Sequence, residues 1–189
     1  MILLRLLHLL FPGLLILASC SSQQNYYVLS PAGPASTKNG PGIGVGPVTM
    51  ADYLIERPYL VFQSSPNKME LSDRHAWGGD LEGDFARVLA TNLGRRADTG
   101  NTLTYPWVRD SELRYQVVVD VRQLHGTPEG DAVLEAAWRV YELPGSRLIK
   151  SRSTNLREPL RKDGFEELAA AHSRLVDRLA RVIAASLSH

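Results

Sequence analysis

One cysteine among 189 residues constrains this chain more than any other feature. A single thiol closes no internal disulfide, so a hydrophobic core must hold the fold together. Cys20 stands where the one long apolar run, "MILLRLLHLLFPGLLILAS", gives way to the small polar residues "SSQQN". A helix from Leu6 to Leu17 would extend about 18 Å, against about 30 Å of bilayer hydrocarbon, too short to span a membrane. An early cation, Arg5, then a short leucine-rich middle and small residues before the cysteine follow the order of a secretory signal. Residues 1–19 therefore drop out of any argument about the fold.

"Leu17-Ala18-Ser19-Cys20" resembles the lipobox of bacterial lipoproteins, which implies that the Cys20 thiol takes a diacylglycerol, the preceding peptide is cut away and the new amino terminus is acylated with a fatty acid such as palmitate. Two or more chains hold where one is marginal. A plain signal peptide cut nearby, or a free buried cysteine, are the competing readings, and the second leaves an odd thiol in an oxidising compartment. Ser21, rather than Asp, follows the cysteine, which resembles the pattern sent on to the outer membrane.

Beyond a lipidated tether at 20–25, the remainder, 26–189, is read as one domain. The chain from Cys20 onward has 170 residues, enough to bury roughly 70% of its unfolded surface without a metal. Without Arg5 the 21 basic residues become 20, against 20 acidic ones. No global basic field is left, which argues against a nucleic-acid partner.

"YYVL" reads as a first strand, 30–42 as a long Pro/Gly/Ser-rich loop, and "IGVGPVTM" and "YLVFQSS" as strands on either side of "ADYLIERP", with more strand at "KMEL". From Trp77 onward the period changes: Leu81, Phe85, Val88, Leu89 and Asn92 fall at helical spacing, with Arg87, Arg95 and Arg96 outside the stripe. "YQVVVDVRQLHG", "AVLEAAWRVYEL" and "RLIKSRSTNL" alternate as strands of an antiparallel sheet with one covered face. A last helix begins near "KDGFEEL", with Asp163 as its cap, and carries Phe165, Leu168, His172, Leu175, Leu179, Val182 and Ile183 on one stripe. The expected fold is α+β, a single domain with a mostly antiparallel β-sheet and two main amphipathic helices packed on one face.

No catalytic, cofactor-binding or metal-binding residues emerge. "GIGVG" (42–46) leads into a strand with Pro47 behind it, so no helix amino terminus is offered to a phosphate. Asp73, His75 and Asp80 read as solvated residues, and His125, His172 and His189 lie far apart along the chain, whereas metal sites need three or four converging ligands. Ser64 and Ser65 lack a G-x-S-x-G elbow. His172 reads as a hydrogen-bonded core or boundary histidine, Trp77, Trp107 and Trp138 as core or core-edge residues, and Arg174, Arg178 and Arg181 as a solvated helix face, with a membrane-surface role as the alternative.

"VGPVTMADYLIERPYLVFQ" (45–63), "RHAWGGDLEGDFARVLATNL" (74–93), the leading "YYVL" and the terminal helix together resemble the PqiC/YmbA family of ABC-type transport auxiliary lipoproteins. Tyr53, Leu54, Arg57, Pro58 and Val61 fit that family's "P-x-Y-L-x-R-P-x-x-V" segment, and Trp77 and Leu81 its "W-x-x-P-L" segment. Two positions depart from it: Met50 or Ala51 replaces the proline before the tyrosine, and Asp80 the proline before Leu81. The resemblance implies a non-enzymatic docking part of an envelope system that moves lipid or other hydrophobic molecules. Its implied partners are an MCE-domain periplasmic protein and an inner-membrane transporter component, with the outer membrane as its place. A scaffold of a secretion or pilus machine and an envelope hydrolase are the alternatives. Tyr53, Leu54 and Arg57 are the candidate contact residues, toward the partner or a second copy in a homo-oligomer: aromatic residues and arginine concentrate interface energy, and the competing reading is that Tyr53 and Leu54 plug the sheet edge while Arg57 pairs internally.

Overall fold

The longest strand organises the molecule. In the computed structural model, which describes residues 23–108, 112–143 and 145–187, β6 (Leu113–Gly126) is flanked along one side by β7 (Asp131–Glu142), itself paired with β8 (Arg147–Pro159). Both pairings are antiparallel, and the register runs with few interruptions from Asp131↔Pro159 to Glu142↔Arg147. On its other side β6 meets two strands in succession. β2 (Gly42–Met50) runs parallel to it as far as Met50↔Val121, and β3 (Tyr59–Ser65) joins at Phe62↔Gly126. Between them the chain leaves the sheet for one turn, α1 (Asp52–Ile55). β4 (Lys68–Trp77) lies antiparallel to β3, β1 (Asn25–Tyr27) pairs with β4, and β5 (Thr102–Thr104) pairs with β2. The result is a single-domain α+β protein with an open, mixed sheet whose two longest pairings are antiparallel.

Alternation decides which face is covered. Tyr115, Val117, Val119 and Val121 of β6 and Leu134, Ala136, Trp138 and Val140 of β7 are buried, while Arg114, Asp120, Arg122 and Arg139 point to solvent. Two helices close the apolar face: α2 (Leu81–Arg96) over β2 and β5, and α3 (Phe165–Ala184) over β7 and β8, with the two in contact along their length. Trp138 places its indole inside and donates from Nε1 to Thr154 Oγ1 at 2.9 Å, which satisfies its one polar atom. β8 forms an edge studded with Arg147, Lys150, Arg152 and Arg157, charges that discourage edge-to-edge pairing with other chains.

Several local expectations are corrected. Trp77 ends β4 rather than opening a helix, and "SDRHAW" is strand, because α2 begins only at Leu81. Asp163 does not cap α3: Gly164 holds that position at φ 111°, with no side-chain cap bond. "YYVL" forms strand only to Tyr27, after which the chain turns to run beside α3. "GIGVG" proves to be a packing device. Its three glycines alternate along one face of β2, where a Cβ on Gly44 would lie 2.8 Å from Leu113 and 3.0 Å from Trp107, and one on Gly46 (φ 131°) 2.5 Å from Tyr105. Without side chains there, the segment around Tyr105 and Trp107 can lie flat on the strand.

Candidate functional site

Cys20 lies outside the described residues, three positions before the first of them, Gln23. From there the chain forms β1 and then follows α3. Tyr27 Oη shares a 2.8 Å hydrogen bond with His75 Nδ1, and the His75 ring stacks on Phe165 at the start of α3, 4.0 Å between centroids. Three residues on, Ser30 N–H donates to Ser173 Oγ at 3.1 Å, and Ala32 N–H donates to Asn92 Oδ1 of α2 at 3.0 Å. Segment 27–32 and α3 thus run side by side, and the space between them is a groove of about 570 Å³. Ala169, Ala170 and Ser173 form part of its floor, and Val28, Pro31 and Ala32 face them.

The far end of the groove is ionic. Arg174 donates to Glu158 Oε1 at 2.8 Å and to Glu167 Oε1 at 2.6 Å, Arg178 reaches Glu158 Oε2 at 3.1 Å, and Arg96 of α2 holds Asp177 at 2.5 Å. The hydrogen bond from Arg174 holds the Glu167 carboxyl below its ordinary range. Burial works against the charge on Arg174, but its bonds to Glu167 and Glu158 outweigh that and raise its pKa. Arg174 is therefore a helix-to-strand clamp rather than part of a solvated face. Arg181 alone of the three fits that reading, with a side chain 67% exposed and its Asp177 contact at 3.9 Å.

The "DYLIERP" segment splits into an inward and an outward half. Leu54 is buried in the core, and Tyr53 packs against it with its hydroxyl accepting the Leu124 N–H at 3.2 Å. Burial pushes the Tyr53 phenol above its ordinary pKa, against the Leu124 bond. Ile55, Glu56, Arg57 and Pro58 form an exposed knuckle, and Arg57 has no ion-pair partner among the described residues.

The histidines are closer than their spacing suggests. His125, on β6, and His172, on α3, meet in the core: each is 1% exposed, and the His125 main chain lies against the His172 ring. His125 bonds to Gly126 O and Gln123 Oε1, but neither ring nitrogen of His172 meets a partner at hydrogen-bond geometry, contrary to the satisfied histidine expected. Burial holds His172 down at about 3, so its imidazole is neutral. Among the described residues, no three His, Cys, Asp or Glu side chains converge as metal ligands would, and no helix is long and apolar enough to cross a membrane.

Residues 27–184 match the family model of the ABC-type transport auxiliary lipoprotein component, a span that includes the groove, both main helices and the last residue of β1. The chain belongs to this family. Its description as lipoprotein and as auxiliary to transport puts the chain among membrane-anchored envelope components of a transport system. Two solved structures share the fold. One, the crystal structure of an uncharacterized protein, is 21% identical with a TM-score of 0.74, covering 88% of this chain and 99% of that one. The other, protein XCC0632 from Xanthomonas campestris, is 15% identical with a TM-score of 0.63, covering 84% and 92%. No curated protein matches the chain.

Proposed function

We propose that this chain is a non-enzymatic lipoprotein, anchored by lipid at Cys20 to the outer membrane, that docks an MCE-type conduit carrying lipid or other hydrophobic molecules across the periplasm. One observation carries the reading: the family match begins at Tyr27, seven residues past a cysteine that ends a signal-like apolar run. The tether between them spans at most about 24 Å when extended. A domain on so short a leash works at the membrane surface. The exposed knuckle at Ile55–Pro58 supplies the docking contact, with Arg57 offering a fork of donors suited to a carboxylate or a main-chain carbonyl.

The test is made in cells. Cys20→Ser is expected to abolish labelling by a fatty-acid probe and release the protein from outer-membrane fractions, since a serine oxygen does not undergo the thiol's alkylation. A photocrosslinker at position 57 is expected to capture an MCE-domain protein from cells carrying the wild-type anchor. Normal acylation of the serine variant overturns the anchor, and capture of a secretion or pilus component overturns the conduit.

A further inference from the structure

The groove beside α3 has two unlike ends. Near the start of the helix Val28, 57% exposed, faces the small apolar Ala169 and Ala170 across the cleft, and the exposed Glu166 that also lines it pairs with Lys162 at 3.6 Å. Toward the carboxy-terminal end, some three turns along, the guanidinium groups gather. Glu158 is engaged there by Arg174 and Arg178, and Asp177 by Arg96 through Oδ2, while its buried Oδ1 meets no hydrogen-bond partner; the Arg181 side chain, 3.9 Å from Asp177, makes no hydrogen bond among the described residues. The apolar end is also the one nearest the tether, because Tyr27 and Val28 follow it directly. At about 570 Å³ the groove falls within the roughly 300–1,000 Å³ of small-molecule sites.

We propose that this groove holds a phospholipid drawn from the bilayer to which the chain is anchored, with an acyl chain along Ala169 and Ala170 under Val28 and the phosphate at Arg181. The match is local: the tail lies over the small apolar Ala169 and Ala170, and a phosphate accepts the donors of Arg181 in place of its 3.9 Å contact with Asp177. The orientation suits the anchor as well. A lipid lifted partway from the leaflet leads with its headgroup and trails its tail toward the membrane, and the tail end of the groove is the end beside the tether. The proposal rests on the Cys20 anchor and deepens the transport role by giving the lipoprotein itself a lipid site.

The experiment uses the full acylated chain in vesicles of phosphatidylethanolamine and phosphatidylglycerol, with a trace of phosphatidylglycerol bearing a diazirine in its tail. After illumination, mass spectrometry maps the crosslinked peptides and reads acylation of Cys20 on the same sample. Crosslinks should concentrate on the peptides containing Val28–Ala32 and Ala169–Ala170. Ala170→Trp, on the half-exposed side of α3, should fill the floor and lower them about tenfold with an unchanged melting temperature, and Arg181→Glu should lower them several-fold. An acylated, vesicle-bound chain whose crosslinks are spread over its surface, or are indifferent to Ala170→Trp, overturns the groove while leaving the anchor intact. So does a crosslinked second copy, or another protein, in place of lipid. A chain that is unacylated and stays off the vesicles overturns both readings.

Discussion

α2 and α3 lie side by side on the same face of one sheet, yet they are enclosed to different degrees. α2 is boxed in: Leu81, Phe85, Ala86, Val88, Leu89, Ala90, Asn92, Leu93 and Gly94 are all buried, because β2 and β5 lie beneath it, α3 beside it, α1 near it, and Ala32 bonds to its Asn92. α3 is closed on one side only. Leu168, Leu175, Leu179 and Ile183 are wholly buried against the sheet, while Ala170, Ser173 and Arg181 border the groove. A helix with more than half of its positions buried, and only Arg87, Arg95 and Arg96 exposed, serves chiefly as scaffold. A strongly amphipathic one keeps half its circumference for a ligand.

The largest effect that separates the two sides of α3 is expected from a charge. Leu175→Asp places an unpaired carboxylate at a fully buried position, at a cost of several kcal/mol against a total stability of about 5–15 kcal/mol. The variant should be unfolded or expressed only in aggregates by circular dichroism and solubility. Ala170→Asp, on the groove side of the same helix, should melt within a few degrees of wild type. Equal melting of the two would mean that α3 packs on a different face.

Glycine sharpens the picture for α2. In an open helix Gly→Ala stabilises by up to about 1 kcal/mol. At Gly83 the added methyl would meet the ends of the Asp80 and Arg87 side chains, which can swing away, so Gly83→Ala should raise the melting temperature slightly. At Gly94 it would lie 2.6 Å from the Thr99 carbonyl oxygen and 2.8 Å from Thr102 Cγ2. Main chain does not swing away, and Gly94→Ala should cost about 1–3 kcal/mol, seen as a lower denaturation midpoint. A stabilised Gly94→Ala would show that α2 is less tightly enclosed than its burial implies.

These helices were legible in the sequence to different degrees, for the same reason. The stripe from Leu168 to Ile183 has one period and one buried face, so spacing alone found α3 and its core side. The β6 and β7 alternation was equally plain, because each strand is buried on one face. Trp77 was misplaced into the helix because an apolar residue at the end of a strand, four before Leu81, mimics a helical neighbour. The glycines of "GIGVG" mimic a phosphate loop, although their two-residue spacing is itself the sign of a strand face cleared for a neighbour. The groove had no signal at all. Segment 27–32 reaches α3 through the Ser30 N–H bond to Ser173 and α2 through the Ala32 N–H bond to Asn92, each more than fifty residues away, and no local pattern encodes such a meeting.

His172 tests the closed side of α3 by pH. Its pKa falls from 6.5 in the unfolded chain to about 3 in the folded one. Below pH 6.5 the unfolded state takes up a proton that the folded state refuses until about pH 3, so stability falls with acidity across that window by up to about 1.4 kcal/mol per pH unit. Carboxylates such as Glu167, held low by Arg174, lose stability in the same direction, over a range that begins near pH 4.5. His172→Leu should therefore reduce the slope between pH 6.5 and 5, where the carboxylates contribute little, and leave the part due to His125, which burial also holds below its ordinary pKa. It should also be neutral or slightly stabilising at pH 7.5, because two unpartnered ring nitrogens leave the core. An unchanged slope in urea titrations at pH 5 and pH 7.5 would show the imidazole to be reached by water.

The smallest effect on stability is expected at Arg57, two residues past α1, and it separates cover from contact within one short segment. Tyr53 and Arg57 are four residues apart, but the first bonds to Leu124 N–H and packs on the core, while the second is exposed and without an ion-pair partner among the described residues. Tyr53→Ala removes buried ring and hydrogen-bond acceptor together and should cost about 2–4 kcal/mol. Arg57→Ala should stay within about 0.5 kcal/mol of wild type, as surface changes usually do. If the knuckle docks the conduit, Arg57→Ala should nonetheless weaken crosslinking of the anchored protein to its partner, since an arginine at the centre of an interface commonly contributes 2 kcal/mol or more. A folded, anchored Arg57→Ala protein that crosslinks as well as wild type would leave α1 as cover alone, and the docking face would then have to be sought on the open half of α3.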